Sequence, residues 1–346
     1  MRALAERRTD CMRATTPNPK RRRRILLAAA TWLVAPRPSR AQPAGKVYRV
    51  GVLSSGAETA SQNLVATLRD GLRELGWVES RNIAIEWRFA EGRNERLPGL
   101  AAGLVRDNVD LIVAQPASAV LAAKKATSTV PIVMAAVVDP VGLGLVSSLS
   151  RPGGNVTGLA YSVDLDIFAK QLQLLKDAVP TARRVAVFYN AANPSATQAF
   201  GTFDAAAQSM GIALRYVEVR SPADFEGAFA TIVRGRADAV LVMGDPLFGL
   251  HAARLAELST KHRLPTMHAV RANVDAGGLI MYGPNIVFMI RQTAAYVDRI
   301  LKGASPSALA VEHPTRFMLV VNQKTARALG VTIPPAVLLR ADQVIE

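Results

Sequence analysis

From Lys46 onward, short β-branched runs alternate with longer segments whose apolar residues recur at helical spacing. Arg49-Val50-Gly51-Val52-Leu53 reads as a buried strand, and Leu64, Leu68, Leu72 and Leu75 mark one face of the helix that follows. Gly76 ends that helix, and Ile83-Ala84-Ile85-Glu86-Trp87 follows as a second strand. Leu111 to Ala114, Ile132 to Met134 and Val156 to Leu159 supply three more. Strands alternating with helices predict βαβ units and a largely parallel sheet.

The second half repeats the scheme. Arg184-Val185-Ala186-Val187 lies 135 residues after Arg49-Val50-Gly51-Val52, and Gly211 stands 135 after Gly76. Asp238-Ala239-Val240-Leu241 echoes Asp110-Leu111-Ile112-Val113, Leu264-Pro265-Thr266 echoes Val130-Pro131-Ile132, and Gly278 to Tyr282 echoes Gly158 to Tyr161. Five matches in one order predict an α/β protein of two similar Rossmann-like lobes with parallel sheets. A helix marked by Leu165, Phe168, Leu172 and Leu175 opens the second lobe, and one marked by Met289, Thr293, Val297 and Ile300 ends at Gly303. The expected division is residues 47–162 for lobe 1, with a return segment at about 284–312. Lobe 2 takes 163–283 and a C-terminal segment at about 313–346. The tail, with Phe317 to Val321, is expected to complete both sheets, so the chain crosses several times and forms a hinge.

Charge changes the picture at one end only. The formal net charge is +15, but residues 1–41 hold eleven Lys/Arg against Glu6 and Asp10, leaving 31 basic and 25 acidic residues for the rest. The excess is therefore not a nucleic-acid footprint. Lys20 to Arg24 precede the apolar run Ile25 to Ala35, whose helical length of about 16 Å is half a bilayer core. Ser39-Arg40-Ala41 then offers small residues for cleavage, so residues 1–41 read as a signal peptide cut near Ala41 and the protein as periplasmic. Arg22 to Leu26 also fit a loose twin-arginine pattern. The single cysteine, Cys11, lies upstream, so thiol catalysis and disulfides are excluded from the mature chain.

Ligands of open α/β sheets sit beyond the carboxyl ends of the strands. Those ends carry Ser54, Ser55, Gln115, Ala117, Ser118, Asp139 and Tyr161 in the first lobe, and Asn190, Asn193, Ser195, Asp245 and Tyr282 in the second. Backbone N–H groups at Ala117-Ser118 or Ser195 suit an anion, Asp139 or Asp245 an ammonium group, and the tyrosines an apolar moiety. Each has a structural alternative. Asp139-Pro140, Asn193-Pro194 and Asp245-Pro246 are good helix starts, Ser54-Ser55 suits a cap, and the tyrosines suit hinge packing. His268 has no evident partner and reads as structural. The histidines lack metal-ligand spacing, and no nucleophile elbow, Walker loop or dinucleotide fingerprint follows the first strand. No cofactor or metal is expected; the chain reads as a binder.

The stretch Ser148-Leu149-Ser150-Arg151-Pro152-Gly153-Gly154-Asn155-Val156-Thr157-Gly158 resembles the "SLxRPGGNxTG" signature of ABC-transporter substrate-binding proteins of the tryptophan/aromatic-amino-acid-binding type. Pro314 to Phe317, Val321 to Ala326 and the ending Pro334 to Glu346 are similar to that family too, and the likeness runs from about Val47 to Glu346. The resemblance implies a type I periplasmic-binding-protein fold. It also implies delivery of a small solute to a membrane permease; with the two lobes and their polar strand ends, the expectation is a monomer, without nucleic acid as partner, that traps a small polar solute such as an amino acid or related carboxylate. The resemblance places ligand contacts at Ser54-Ser55, Gln115 to Ser118, Asp139, Asn190 to Ser195 and Gly244-Asp245. Relatives that bind amino acids tend to carry Asp-Asn where this chain has Asp245-Pro246, and a glutamate near Asn193 is missing here; both departures point away from an aromatic amino acid. An enzyme working in the cleft would need an acid/base pair or nucleophile, and a DNA-bound sensor a helix-turn-helix where the basic leader stands.

Overall fold

Continuous apolar runs, buried on both faces in the central strands, build the two sheets of the computed structural model, which describes residues 46–346. The expected signal peptide, its cleavage site and Cys11 lie outside these residues. The first sheet is built from β1 (Tyr48–Ser54), α1 (Glu58–Glu74), β2 (Ile83–Phe89), α2 (Leu97–Arg106), β3 (Leu111–Gln115), α3 (Ala117–Ala126), β4 (Ile132–Val138) and β5 (Val156–Ser162). Its order is β2-β1-β3-β4-β5, all parallel.

The chain then crosses to α4 (Asp166–Ala178), β6 (Arg184–Tyr189), α5 (Pro194–Gln198), α6 (Phe200–Met210), β7 (Ala213–Glu218) and α7 (Phe225–Arg234). It continues through β8 (Ala239–Val242), α8 (Pro246–Leu250), α9 (Ala252–Lys261), β9 (Thr266–His268), α10 (Arg271–Asp275) and β10 (Ile280–Pro284). The long helix α11 (Ile286–Leu301) returns to pack on α1 and the first sheet. Finally β11 (Phe317–Asn322), α12 (Gln323–Leu329), α13 (Pro335–Arg340) and β12 (Gln343–Ile345) rejoin the second lobe. That sheet runs β12-β11-β10-β9-β8-β6-β7.

Two expectations are corrected here. The tail adds both its strands to the second sheet; the first receives only a bridge between Leu159 and Glu312. The second sheet is also not wholly parallel, because β11 arrives from the other lobe and runs antiparallel to β10.

Strand alternation sorts the cores. Ile112 and Ala114 point toward α2 and α3, whereas Leu111 and Val113 point toward α1 and α11. In the second lobe Val185 and Val187 meet α4 and α6, and Ala186 and Phe188 meet α7 and α9. The repeat extends to side chains. The carboxylate of Asp110 accepts the backbone N–H of Arg49 at 2.8 Å, and that of Asp238 accepts those of Arg183 and Arg184 at 2.9 and 2.8 Å. Each acid thus pins the start of its lobe's first strand.

Candidate functional site

The carboxyl ends of β1, β3 and β4 face those of β6, β8 and β9 across a cavity of about 720 Å³. The two lobes touch across it: Ser195 Oγ donates to the Val138 carbonyl, and Gln198 Nε2 to that of Gly142, each at 3.5 Å. Behind the cavity, Tyr161 of β5 packs its ring into the second lobe's core, and its hydroxyl donates to the Ala269 carbonyl at 2.9 Å. Gly283 leaves room for this bridge, since a β-carbon there would strike both the Tyr161 hydroxyl and the Ala269 carbonyl. Tyr161→Phe is expected to lower stability by about 1–3 kcal/mol, the cost of leaving a buried carbonyl without its donor. Urea unfolding of the variant measures this, and an unchanged midpoint would remove the bridge from the hinge.

Of the residues picked out by sequence, Ser54, Gln115, Ala117, Tyr161, Asn193, Ser195 and Asp245 line the cavity. Five do not, and each has a local reason. The buried Ser55 uses its backbone N–H on the Gln115 carbonyl. The Ser118 hydroxyl faces Asn94 Oδ1 at 3.4 Å. Asp139, at φ 45°, folds back to accept the Gly142 N–H at 2.8 Å, so it fastens a turn outside the cavity lining. Asn190 stands behind Asp245, and the Tyr282 ring stacks on Phe317 in the hinge. His268 is fully buried, with Nε2 2.9 Å from Thr266 Oγ1, and burial lowers its pKa to about 3; it is a neutral core residue.

Asp245 unites the two readings proposed for it. Its Oδ1 caps α8 by accepting the Leu247 N–H at 2.9 Å, and it also lines the cavity. Further bonds come from Asn190 Nδ2 to Oδ1 at 3.3 Å and Asn193 Nδ2 to Oδ2 at 3.2 Å. All three donors are neutral, and among the described residues no salt bridge reaches it. Burial therefore pushes its pKa above the ordinary carboxylate range, and the three hydrogen bonds pull the other way. The other acid of the wall, Asp275, already holds Arg271, with Nε to Oδ1 at 2.6 Å.

Around this acid the wall is mostly apolar, with Phe168, Met243, Val270, Met281 and Ile286 among its members. The sequence alone did not mark these as site residues, because an apolar strand end and a core look alike in hydropathy. β4 supplies part of this wall: the strand continues past Met134 with an irregular register, and Ala136 at φ 58° turns its end into the cavity. Gln171 was also missed. Its signal was a lone amide within the apolar stripe of α4, three residues after Phe168.

On this geometry the comparisons converge. Residues 49–345 match the family model of ABC transporter substrate binding proteins. A tyrosine-binding protein of Clostridioides difficile is 26% identical over 258 residues, covering 75% of this chain and 74% of that one. A Streptococcus pneumoniae ABC domain in complex with L-Trp superposes with TM-score 0.79 at 27% identity, covering 87% of this chain and all of that one. The ligand-free, open substrate-binding protein of Clostridium difficile, 26% identical over 86% of this chain and 99% of its own, reaches only 0.60. The two-lobed architecture is the type I periplasmic-binding-protein fold. The chain belongs to the ABC transporter substrate-binding proteins, a family of extracytoplasmic receptors that bind small molecules for delivery to a permease.

Proposed function

We propose that this protein is a monomeric periplasmic receptor that closes on an amino acid with a large apolar or aromatic side chain and passes it unaltered to a membrane permease, its leader removed near Ala41. The observation that carries the reading is Asp245, a partly buried carboxylate whose partners among the described residues are all neutral, in the wall of a mostly apolar cavity. Such a carboxylate calls for a cation, and a solute ammonium group supplies one. The backbone N–H groups of Ala117 and Ser118 open α3, those of Ala119 and Val120 donating to the Pro116 carbonyl, and the helix has no acid in its first turn and two lysines in its last. It therefore offers a positive end to a solute carboxylate. The apolar wall suits the remaining body of the solute. The names of the relatives, one tyrosine-binding and one bound to L-Trp, support the same class despite the departure at Pro246.

A thermal-shift series with L-tryptophan, L-tyrosine, L-leucine and their des-amino counterparts tests this. A ligand at 100 times its Kd is expected to add about 2.7 kcal/mol of stability, and the des-amino compounds much less. Ligand recovered by chromatography should be chemically unchanged, and scattering should show a smaller radius of gyration with ligand than without. Equal stabilisation by the des-amino acids, or a consumed ligand, would defeat the proposal.

A further inference from the structure

The buried face of α4 is apolar from Ile167 to Ala178 except for Gln171, which is 1% exposed and yet forms part of the cavity wall. Its Nε2 donates to the Tyr282 carbonyl at 2.8 Å. A carbonyl only accepts, so this bond fixes which end of the amide faces β10 and leaves Oε1 at the other end. Among the described residues that oxygen has no hydrogen-bond partner. Two donors in the same wall are committed elsewhere: the Tyr161 hydroxyl has given its proton to Ala269, and the Arg271 guanidinium is held by Asp275 and Gln343. An aliphatic side chain would fill the position without the penalty of an unpaired buried acceptor. We infer that Gln171 is a specificity-determining residue whose Oε1 receives an N–H or O–H group carried on the apolar body of the solute. The hydrogen bond to Tyr282 serves to hold the amide in that orientation.

This rests on the amino-acid reading above and refines it. The amine is recognised by Asp245, whereas Gln171 distinguishes solutes by a second donor remote from the amine. Two matched pairs separate the roles, because both members of each keep the ammonium and carboxylate groups. These are L-tryptophan against its benzothienyl analogue, in which sulfur replaces the indole N–H, and L-tyrosine against L-phenylalanine. Calorimetry on the wild-type protein is expected to favour the donor-bearing member of at least one pair by roughly tenfold or more. In Gln171→Met that preference should fall to near one. Gln171→Glu should retain it, because a buried, protonated glutamate still donates to Tyr282 and still offers an acceptor. If Gln171→Met does not fold, a crystal structure of the wild-type complex decides, with the solute donor expected within about 3.2 Å of Oε1. Equal affinities within both pairs, or a complex in which Oε1 is still unpaired, would overturn the role of Gln171 and leave the amino-acid reading standing. Failure of all four compounds to bind would instead bring down that reading, and this inference with it.

Discussion

Asp245→Asn is expected to weaken binding of L-tryptophan or L-tyrosine by about 2–5 kcal/mol, because closure would otherwise bury an ammonium group beside its counter-charge. The same change should leave the unliganded fold intact. Asparagine caps a helix about as well as aspartate, so the bond from the Leu247 N–H at 2.9 Å survives. The Nδ2 it introduces would face Asn193 Nδ2, but that amide also donates to the Gly244 carbonyl at 3.2 Å and keeps this partner.

The pH dependence follows from the direction of the shift. Burial raises the pKa of Asp245 in the folded protein above its unfolded value. The folded state therefore holds this proton more tightly. The stability so gained is complete below the ordinary carboxylate range and is lost as pH rises through the raised value. Unliganded wild type should thus lose stability relative to Asp245→Asn between acid and neutral pH. Affinity for an amine should move the opposite way, falling in the wild type as acid neutralises the carboxylate. Urea melts and calorimetry on both proteins across that window test both slopes. Unchanged affinity in the variant would leave Asp245 as a cap alone.

How far the sequence led depends on how local each signal is. The glycines that end α1 and α6 and most strand runs of both lobes are short-range patterns and were legible, whereas Asp110 and Asp238 showed only as a repeat, because their bonds to the strand starts span more than 50 residues. Gly76 and Gly211 sit at φ 89° and 64°, where only a residue without a β-carbon is at ease. β7 was overlooked because Ala213 to Glu218 is an edge strand with no continuous apolar run, and β12 because its three residues exist only through pairing with β11. The cavity was half legible. Polar strand ends were found, but whether a strand end turns inward depends on turns such as that at Asp139, whose φ of 45° no pattern announces. Asp245 and Asp139 share an Asp-Pro motif at a strand's carboxyl end, Asp245 after β8 and Asp139 after β4. Only the fold shows that one acid lines the cleft and the other closes its own turn.

The signature Ser148 to Gly158 identifies the family without touching the cavity, and its last residue explains why. Asn155 Nδ2 ties the loop to the carbonyls of Thr127 and Val130, at 3.1 and 2.9 Å, and Thr157 Oγ1 donates to the Leu309 carbonyl at 2.6 Å. The stretch therefore fastens β5 to its neighbours. Gly158 lies at φ 126°, which residues with side chains rarely adopt. A β-carbon there would stand 2.8 Å from the backbone nitrogen of Met134 and nearer still to its carbonyl oxygen. Neither atom can move without parting β4 from β5, whose pairing runs through Met134 and Gly158. Gly158→Ala is thus expected to cost more than about 4 kcal/mol, the range reserved for changes that strain backbone and packing together. The injury would spread to binding, because β4 carries the Ala135 to Val138 wall of the cavity. Gly154→Ala, four residues away with nothing within 4 Å of the added carbon and no positive φ, is the control and should cost little. Chemical denaturation of the two variants side by side provides the comparison. A Gly158→Ala protein as stable as the control would show that β4 and β5 can separate, and that the motif's last glycine is not held there by their close approach.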